Sequence, residues 1–86
     1  MSGPRALTAE WHRVAPGDRP AAVAGWCDRR DRLAADGCHF WVFASAAEPD
    51  TYLECTEASD ADSLQRARSR ADLSRSADIL SEVELT

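Results

Sequence analysis

Three stretches of the chain alternate between apolar and polar residues with the period of two that is typical of β-strands. They are residues 7–14, 39–45 and 51–57. In the middle stretch both faces carry apolar side chains, so we expect both faces to be covered. Pro49 and Asp50 separate the last two stretches and predict a turn, which makes these two strands a hairpin.

A fourth stretch has the spacing of an amphipathic helix. It runs from Pro20, which suits a first helical turn, to about residue 36. Asp18 is the candidate N-cap, and Gly37 is placed to end the helix in a left-handed conformation. The spacing predicts an inward face that includes Val23, Trp26, Cys27 and Leu33.

The last third of the chain predicts a second helix and a final strand. Ser59 or Asp60 can cap this helix, and Leu64 lies on its weak apolar stripe. Residues 72–80 are expected to form a short helical piece, and residues 82–85 a closing strand. The apolar residues expected to point inward in these two pieces are Leu73, Ala77, Leu80, Val83 and Leu85.

The predicted element order is strand, helix, strand, strand, helix, strand. Two βαβ crossovers around a central hairpin then give an α+β, ferredoxin-like split βαβ fold, with a four-stranded antiparallel sheet of order 4-1-3-2. Both helices are expected on one face of this sheet. The side chains predicted to meet them are Leu7, Ala9, Trp11, Phe40, Val42, Leu53 and Cys55, and those predicted on the uncovered face are Thr8, Glu10, His12, Trp41, Phe43, Tyr52, Glu54 and Thr56.

Length and composition limit the class of protein. The 86 residues, 44% hydrophobic and 29% charged, predict one globular domain over residues 7–86 after a flexible N-terminus at residues 1–6. A net charge of −5 argues against nucleic acid as a partner. No apolar run suits a signal peptide or a membrane span, so we expect a soluble, cytoplasmic protein, and the Ala-, Arg- and Asp-rich composition suggests a bacterial source. The three cysteines lack CxxC spacing and are expected to be small buried residues.

The hairpin and the segment after it resemble a known superfamily. The features are Gly37 at the end of the first helix, the aromatic-rich hairpin HFWVFAS…PDTYLECTE, and the acidic helix start ASDADSL. In this layout the chain is similar to the dimeric α/β-barrel superfamily, in particular to its antibiotic-biosynthesis-monooxygenase-like and stress-responsive members. It departs from their usual pattern in lacking the Trp before the second helix.

The resemblance implies a homodimer in which two sheets pack face to face. Members of the superfamily include cofactor-independent oxygenases of aromatic polyketides, muconolactone isomerase-like enzymes and haem-degrading enzymes. The resemblance therefore suggests a monooxygenase- or isomerase-like enzyme that acts on a small aromatic or polyketide-like molecule. We predict no metal and no cofactor, although haem is left open, with His12 or His39 as the axial ligand.

The predicted topology brings candidate chemical groups to one end of the sheet. We expect His12, Tyr52 and Glu54 to be catalytic, because an imidazole beside a phenol and a carboxylate suits proton abstraction. The residues expected to bind the substrate are Trp41, Phe43 and Glu10. The alternative is a non-catalytic ligand-binding or protein-interaction module, in which these residues only fill an interface.

Overall fold

The computed structural model describes residues 4–71 and 77–85, and these form one sheet with two helices packed on it. The strands are β1 (Ala6–Arg13), β2 (His39–Ala44), β3 (Thr51–Ala58) and β4 (Leu80–Ser81). The helices are α1 (Arg19–Ala35), which a short 3-10 turn at Pro16–Asp18 precedes, and α2 (Ala61–Arg70). None of the helices in the described ranges is long and apolar enough to cross a membrane.

The sheet has the strand order β2-β3-β1-β4, and every neighbouring pair is antiparallel. This confirms the predicted α+β fold and strand order. Ion pairs and ring contacts from both helices reach the same side of the sheet, so both cover one face. The sheet does not close into a barrel within the chain, and the dimer stays a prediction.

The residues at the element ends explain where the elements begin and stop. The Asp60 carboxylate accepts a hydrogen bond from the Ser63 backbone N–H at 2.7 Å, which caps α2. This hydrogen bond lowers the pKa of Asp60. Gly37 follows α1 with φ of 77°, a conformation that glycine adopts at little cost. Asp50 takes the same left-handed region, with φ of 58°, in the β2–β3 turn.

A small core lies between the helices and the sheet. Leu33 of α1 and Leu64 of α2 are fully buried, and Phe40 of β2 packs with them. Elsewhere the core consists of small residues, namely Ala6, Cys38, Ala58, Ala67 and Ala71. The small residues let the helices approach the sheet closely, and they leave long polar side chains to fill the rest of this layer.

The predicted orientation of β1 and β3 is wrong. Register pairs Thr8 with Thr56 and His12 with Tyr52, and these residues point towards the helices. The opposite face, which no helix covers, is called the open face below. It carries Leu7, Ala9, Trp11, Leu53, Cys55 and Leu80 together with Trp41 and Phe43 of β2.

Arginines explain this orientation. Glu10 and Glu54 lie on the helix-covered face, where Arg68 of α2 and Arg29 of α1 form ion pairs with them. A buried carboxylate is tolerated when it is paired and hydrogen-bonded. The helices thus present polar groups to the sheet, and these complement its polar face.

In β2 the prediction is confirmed, because Phe40 and Val42 face the helices.

The C-terminal predictions also need correction. The last strand lies at Leu80–Ser81, where it pairs with Leu7 and Ala6, rather than at 82–85. Val83 and Leu85 are exposed instead of inward, and so is Leu80. Leu73 and most of the predicted helical piece at 72–80 lie outside the described residues, and residues 77–79 are not helical.

Two inward predictions for α1 are also wrong. Val23 and Cys27 are exposed, whereas Leu33 is buried as predicted and Trp26 packs against the core. Cys38 and Cys55 are buried as predicted, and burial raises the pKa of both thiols. The helix turns its Trp26–Leu33 row to the sheet.

Candidate functional site

His12 lies between two carboxylates on the helix-covered face. Its Nε2 is 3.1 Å from Oε2 of Glu54, which is on the neighbouring strand β3, and 3.7 Å from Oε2 of Glu10, two residues earlier on β1. The register Glu10↔Glu54 and His12↔Tyr52 produces this arrangement, because residues opposite each other share a face. All three side chains are about one-quarter exposed or less. The imidazole is therefore held by carboxylates in a half-buried layer.

Arginines from both helices complete this cluster. Arg29 of α1 pairs with Oε1 of Glu54, the carboxylate oxygen that does not face His12. Arg68 of α2 donates to Oε1 of Glu10 at 2.9 Å and to Oγ1 of Thr8 at 3.0 Å. The side chain of Arg68 is only 7% exposed. Each glutamate thus links His12 to one helix.

Aromatic and cationic groups surround Tyr52, which lies across the strand pair from His12. The Tyr52 ring centre is 5.2 Å from that of Trp26, with the planes tilted by 54°. The guanidinium carbon of Arg19, the first residue of α1, is 5.9 Å from the Tyr52 ring centre. These are the distances of an aromatic pair and of a cation–π contact. An imidazole, a phenol and an indole therefore lie close together.

The structure separates the predicted site residues into two groups. His12, Tyr52, Glu54 and Glu10 come together as expected, although on the covered face. Trp41 and Phe43 lie on the open face, so within one chain they cannot contact a molecule bound at His12. The catalytic and binding roles stay predictions.

Four residues of the cluster were not predicted as site residues, namely Arg19, Trp26, Arg29 and Arg68. Trp26 was expected on the inward face of the first helix. The spacing Trp26–Arg29–Leu33 follows one helix face and was the available signal for Arg29. Nothing local distinguishes Arg68 from its neighbours Arg66 and Arg70.

The second histidine, His39, lies on the open face at the start of β2, whereas His12 is level with the end of β2. Nδ1 of His39 is 3.4 Å from Oε1 of Glu57, and its ring meets Trp41 edge-on at 5.5 Å. A cavity of about 400 Å³ nearby is lined by Arg5, Gly37, His39, Glu57, Ala58 and Ser59. Within residues 4–71 and 77–85, no group of three or more His, Cys, Asp or Glu side chains is arranged to hold a metal ion.

Comparison with known proteins gives the fold. No protein-family model matches the chain, and no curated protein matches it. A similar solved structure is a conserved protein of unknown function from Bacteroides thetaiotaomicron VPI-5482, described as a possible oxidoreductase. The two chains are 16% identical, with a TM-score of 0.62, and the match covers 95% of this chain and 96% of the other.

A likeness at this identity shows a shared fold and no more. Membership of the dimeric α/β-barrel superfamily stays a prediction. The chain is a small α+β protein with the sheet and helices of a split βαβ unit, and it is similar over nearly its full length to a solved structure of unknown function.

Proposed function

We propose that the chain is an enzyme that removes a proton from a small aromatic molecule, with His12 as the general base. The supporting observation is the position of His12 Nε2, 3.1 Å from Glu54 and beside Tyr52 in a half-buried layer. A carboxylate stabilises the imidazolium that forms when the base takes up a proton. Trp26, which is partly exposed and packs on the buried ring of Tyr52, supplies aromatic surface against which a small ring can pack.

The proposed first step serves two reactions. His12 takes a proton from an acidic C–H or O–H of the substrate, and the electron pair of that bond spreads into the aromatic system. In an isomerisation the proton returns to another carbon, and no oxidant is needed. In an oxygenation dioxygen is the oxidant, with one oxygen atom entering a carbonyl group and the other leaving as water. The description of the Bacteroides protein as a possible oxidoreductase favours oxygenation as the first reaction to assay.

We also propose that the chain forms a homodimer in which two open faces pack together. Trp11, Trp41 and Phe43 on this face are 62%, 42% and 56% exposed. At about 200–250 Å² per ring, they present roughly 350 Å² of aromatic surface. This is nearly half of the ~800 Å² that each partner buries in a standard interface.

A second copy fits this surface for two further reasons. Leu7, Ala9, Leu53 and Leu80 continue the apolar patch along the sheet, and the ion pairs of Glu57 with Arg5 and His39 lie at one end as a polar rim. A two-fold contact buries the same patch on both chains. Because His12 lies on the other side of the sheet, the proposed dimer contact does not cover it.

Solvent isotope exchange tests the enzyme proposal without knowledge of the product. The protein is incubated in D₂O with a panel of small phenols and enolisable aromatic ketones, and deuterium incorporation is followed by NMR. His12→Gln keeps a polar side chain of similar reach, and we expect it to abolish catalysed exchange. His39→Gln is the matched control, because His39 lies on the other face, and we expect it to retain full exchange.

Two results oppose the proposal. Equal exchange by the wild type and by His12→Gln, with both folded by circular dichroism, removes His12 as the base. Binding of panel members without any catalysed exchange supports the alternative, a non-catalytic ligand-binding module. Sedimentation velocity at micromolar concentration tests the homodimer, and a monomer there refutes it.

A further inference from the structure

The charges around His12 are balanced except at one position. Glu54 pairs with Arg29, and Glu10 pairs with Arg68. Arg19, at the start of α1, stands over the Tyr52 ring instead. Among the residues that the structure describes, no carboxylate lies within ion-pair distance of Arg19, including its neighbour Asp18. An exposed guanidinium thus adjoins the site with no counter-ion from residues 4–71 or 77–85, in a chain of net charge −5.

We infer that Arg19 is a specificity-determining residue that binds an anionic group of the substrate, so that the molecule processed at His12 is a single-ring aromatic anion such as a hydroxylated benzoate. This inference rests on the proposed function. It adds the charge and the size of the substrate.

The positions of three groups support this substrate class. Arg19 Cζ is 5.9 Å from the Tyr52 ring centre, and Tyr52 and His12 are cross-strand partners whose Cβ atoms lie about 5 Å apart. The guanidinium and the imidazole are therefore separated by on the order of 10 Å. One aromatic ring with an anionic group at one end and an acidic O–H at the other spans a distance of that order.

The chemistry of the residues suits the two ends of such a molecule. A guanidinium presents several N–H donors in one plane and binds a carboxylate through two parallel hydrogen bonds. The indole of Trp26, which is partly exposed and packs on the buried Tyr52 ring, offers aromatic surface between the ends. The opposite end of the substrate then reaches the base. A neutral substrate leaves the guanidinium uncompensated and gains less from binding.

A pair of probes that differ in one charge tests the inference. 4-Hydroxybenzoate and its methyl ester are titrated separately into the full chain, and chemical-shift changes in ¹H–¹⁵N spectra give each dissociation constant. We expect the acid to bind about tenfold more tightly than the ester, because a charge-assisted hydrogen bond at an exposed arginine is partly screened by water. Arg19→Gln is expected to remove this preference, and Arg19→Lys to keep part of it.

Arg13→Gln is the matched control. Arg13 is also exposed, but it follows His12 on β1 and therefore lies on the open face. We expect this variant to keep the wild-type preference for the acid. Equal affinity of the wild type for both probes, an undiminished preference in Arg19→Gln, or no binding of either probe overturns the inference.

The test of Arg19 as the anion site and the test of His12 as the base can fail independently. If His12→Gln loses isotope exchange while Arg19→Gln keeps the acid preference, the base stands and the anion site is wrong. If Arg19→Gln loses the preference while His12→Gln exchanges as the wild type does, the anion site stands and the base is wrong.

Discussion

Trp41→Ser is the sharpest test of the open face. The wild-type indole is 42% exposed, which leaves roughly 100 Å² of its surface facing solvent in the single chain. In a two-fold dimer both copies cover this surface, so about 200 Å² leave water. At ~25 cal/mol per Å², the loss amounts to about 5 kcal/mol as an upper value. The serine side chain still buries some surface, and the contact between the two copies is not perfect. We therefore expect a loss of association free energy of about 3–5 kcal/mol, with the upper value as the limit.

This free energy converts to a large change in association. The dimer dissociation constant should rise between about a hundredfold and a few thousandfold. Sedimentation velocity over a concentration series measures it. Val23→Ser is the matched control, since Val23 is a partly exposed apolar residue on α1, away from the open face. We expect Val23→Ser to leave the dissociation constant unchanged.

The Trp41→Ser protein also separates two effects on activity, namely loss of the dimer and loss of the site around His12. Trp41 does not share a face with His12, so Trp41→Ser should retain wild-type isotope exchange per chain if the monomer keeps its fold. A Trp41→Ser protein with an unchanged dissociation constant refutes the assignment of this face to the dimer.

Three further predictions concern stability and reactivity. Leu64→Ala should lower the free energy of unfolding by about 2–5 kcal/mol in urea titrations, because Leu64 is fully buried beneath α2; an effect within error would contradict its place in the core. Asp60→Ala should destabilise the protein at neutral pH, and the difference from the wild type should vanish at low pH, because the contribution of the carboxylate is complete above its ordinary pKa near 3.8 and is lost as the pH falls through its lowered pKa in the folded protein; a difference independent of pH would refute the cap. A thiol reagent at pH 8 should label Cys27 rapidly in the folded protein and label slowly the two buried thiols, Cys38 and Cys55, whose pKa values are raised; equal labelling of all three would contradict their burial.

Much of the fold can be predicted from patterns of residues that are close together in the sequence. The alternation in residues 51–57, the turn at Pro49 and Asp50, and Gly37 after the first helix each act over a few residues. Such short-range signals determine where strands and helices lie, and the chain rules for crossovers then limit the strand order. The last strand was predicted two residues too late in the chain. Its position depends on only two residue pairs with β1, and no alternation of apolar and polar residues marks it in the sequence.

Only part of the cluster around His12 could be predicted from the sequence. His12, Tyr52 and the two glutamates were predicted from residue type and from the register of neighbouring strands. Arg68 was not, because it reaches Glu10 from 58 positions away in the chain, and its local setting is that of any arginine near a helix end.

The sequence by itself determined that each strand has two different faces and which residues share a face. It did not determine which face the helices cover, because a period of two has the same form in either orientation. That choice depended on the tertiary structure, where Arg29 and Arg68 compensate Glu54 and Glu10 and make the polar face the covered one. The apolar side chains of Trp11, Trp41 and Phe43 were left on the open face, since the helices cover only one side of the sheet.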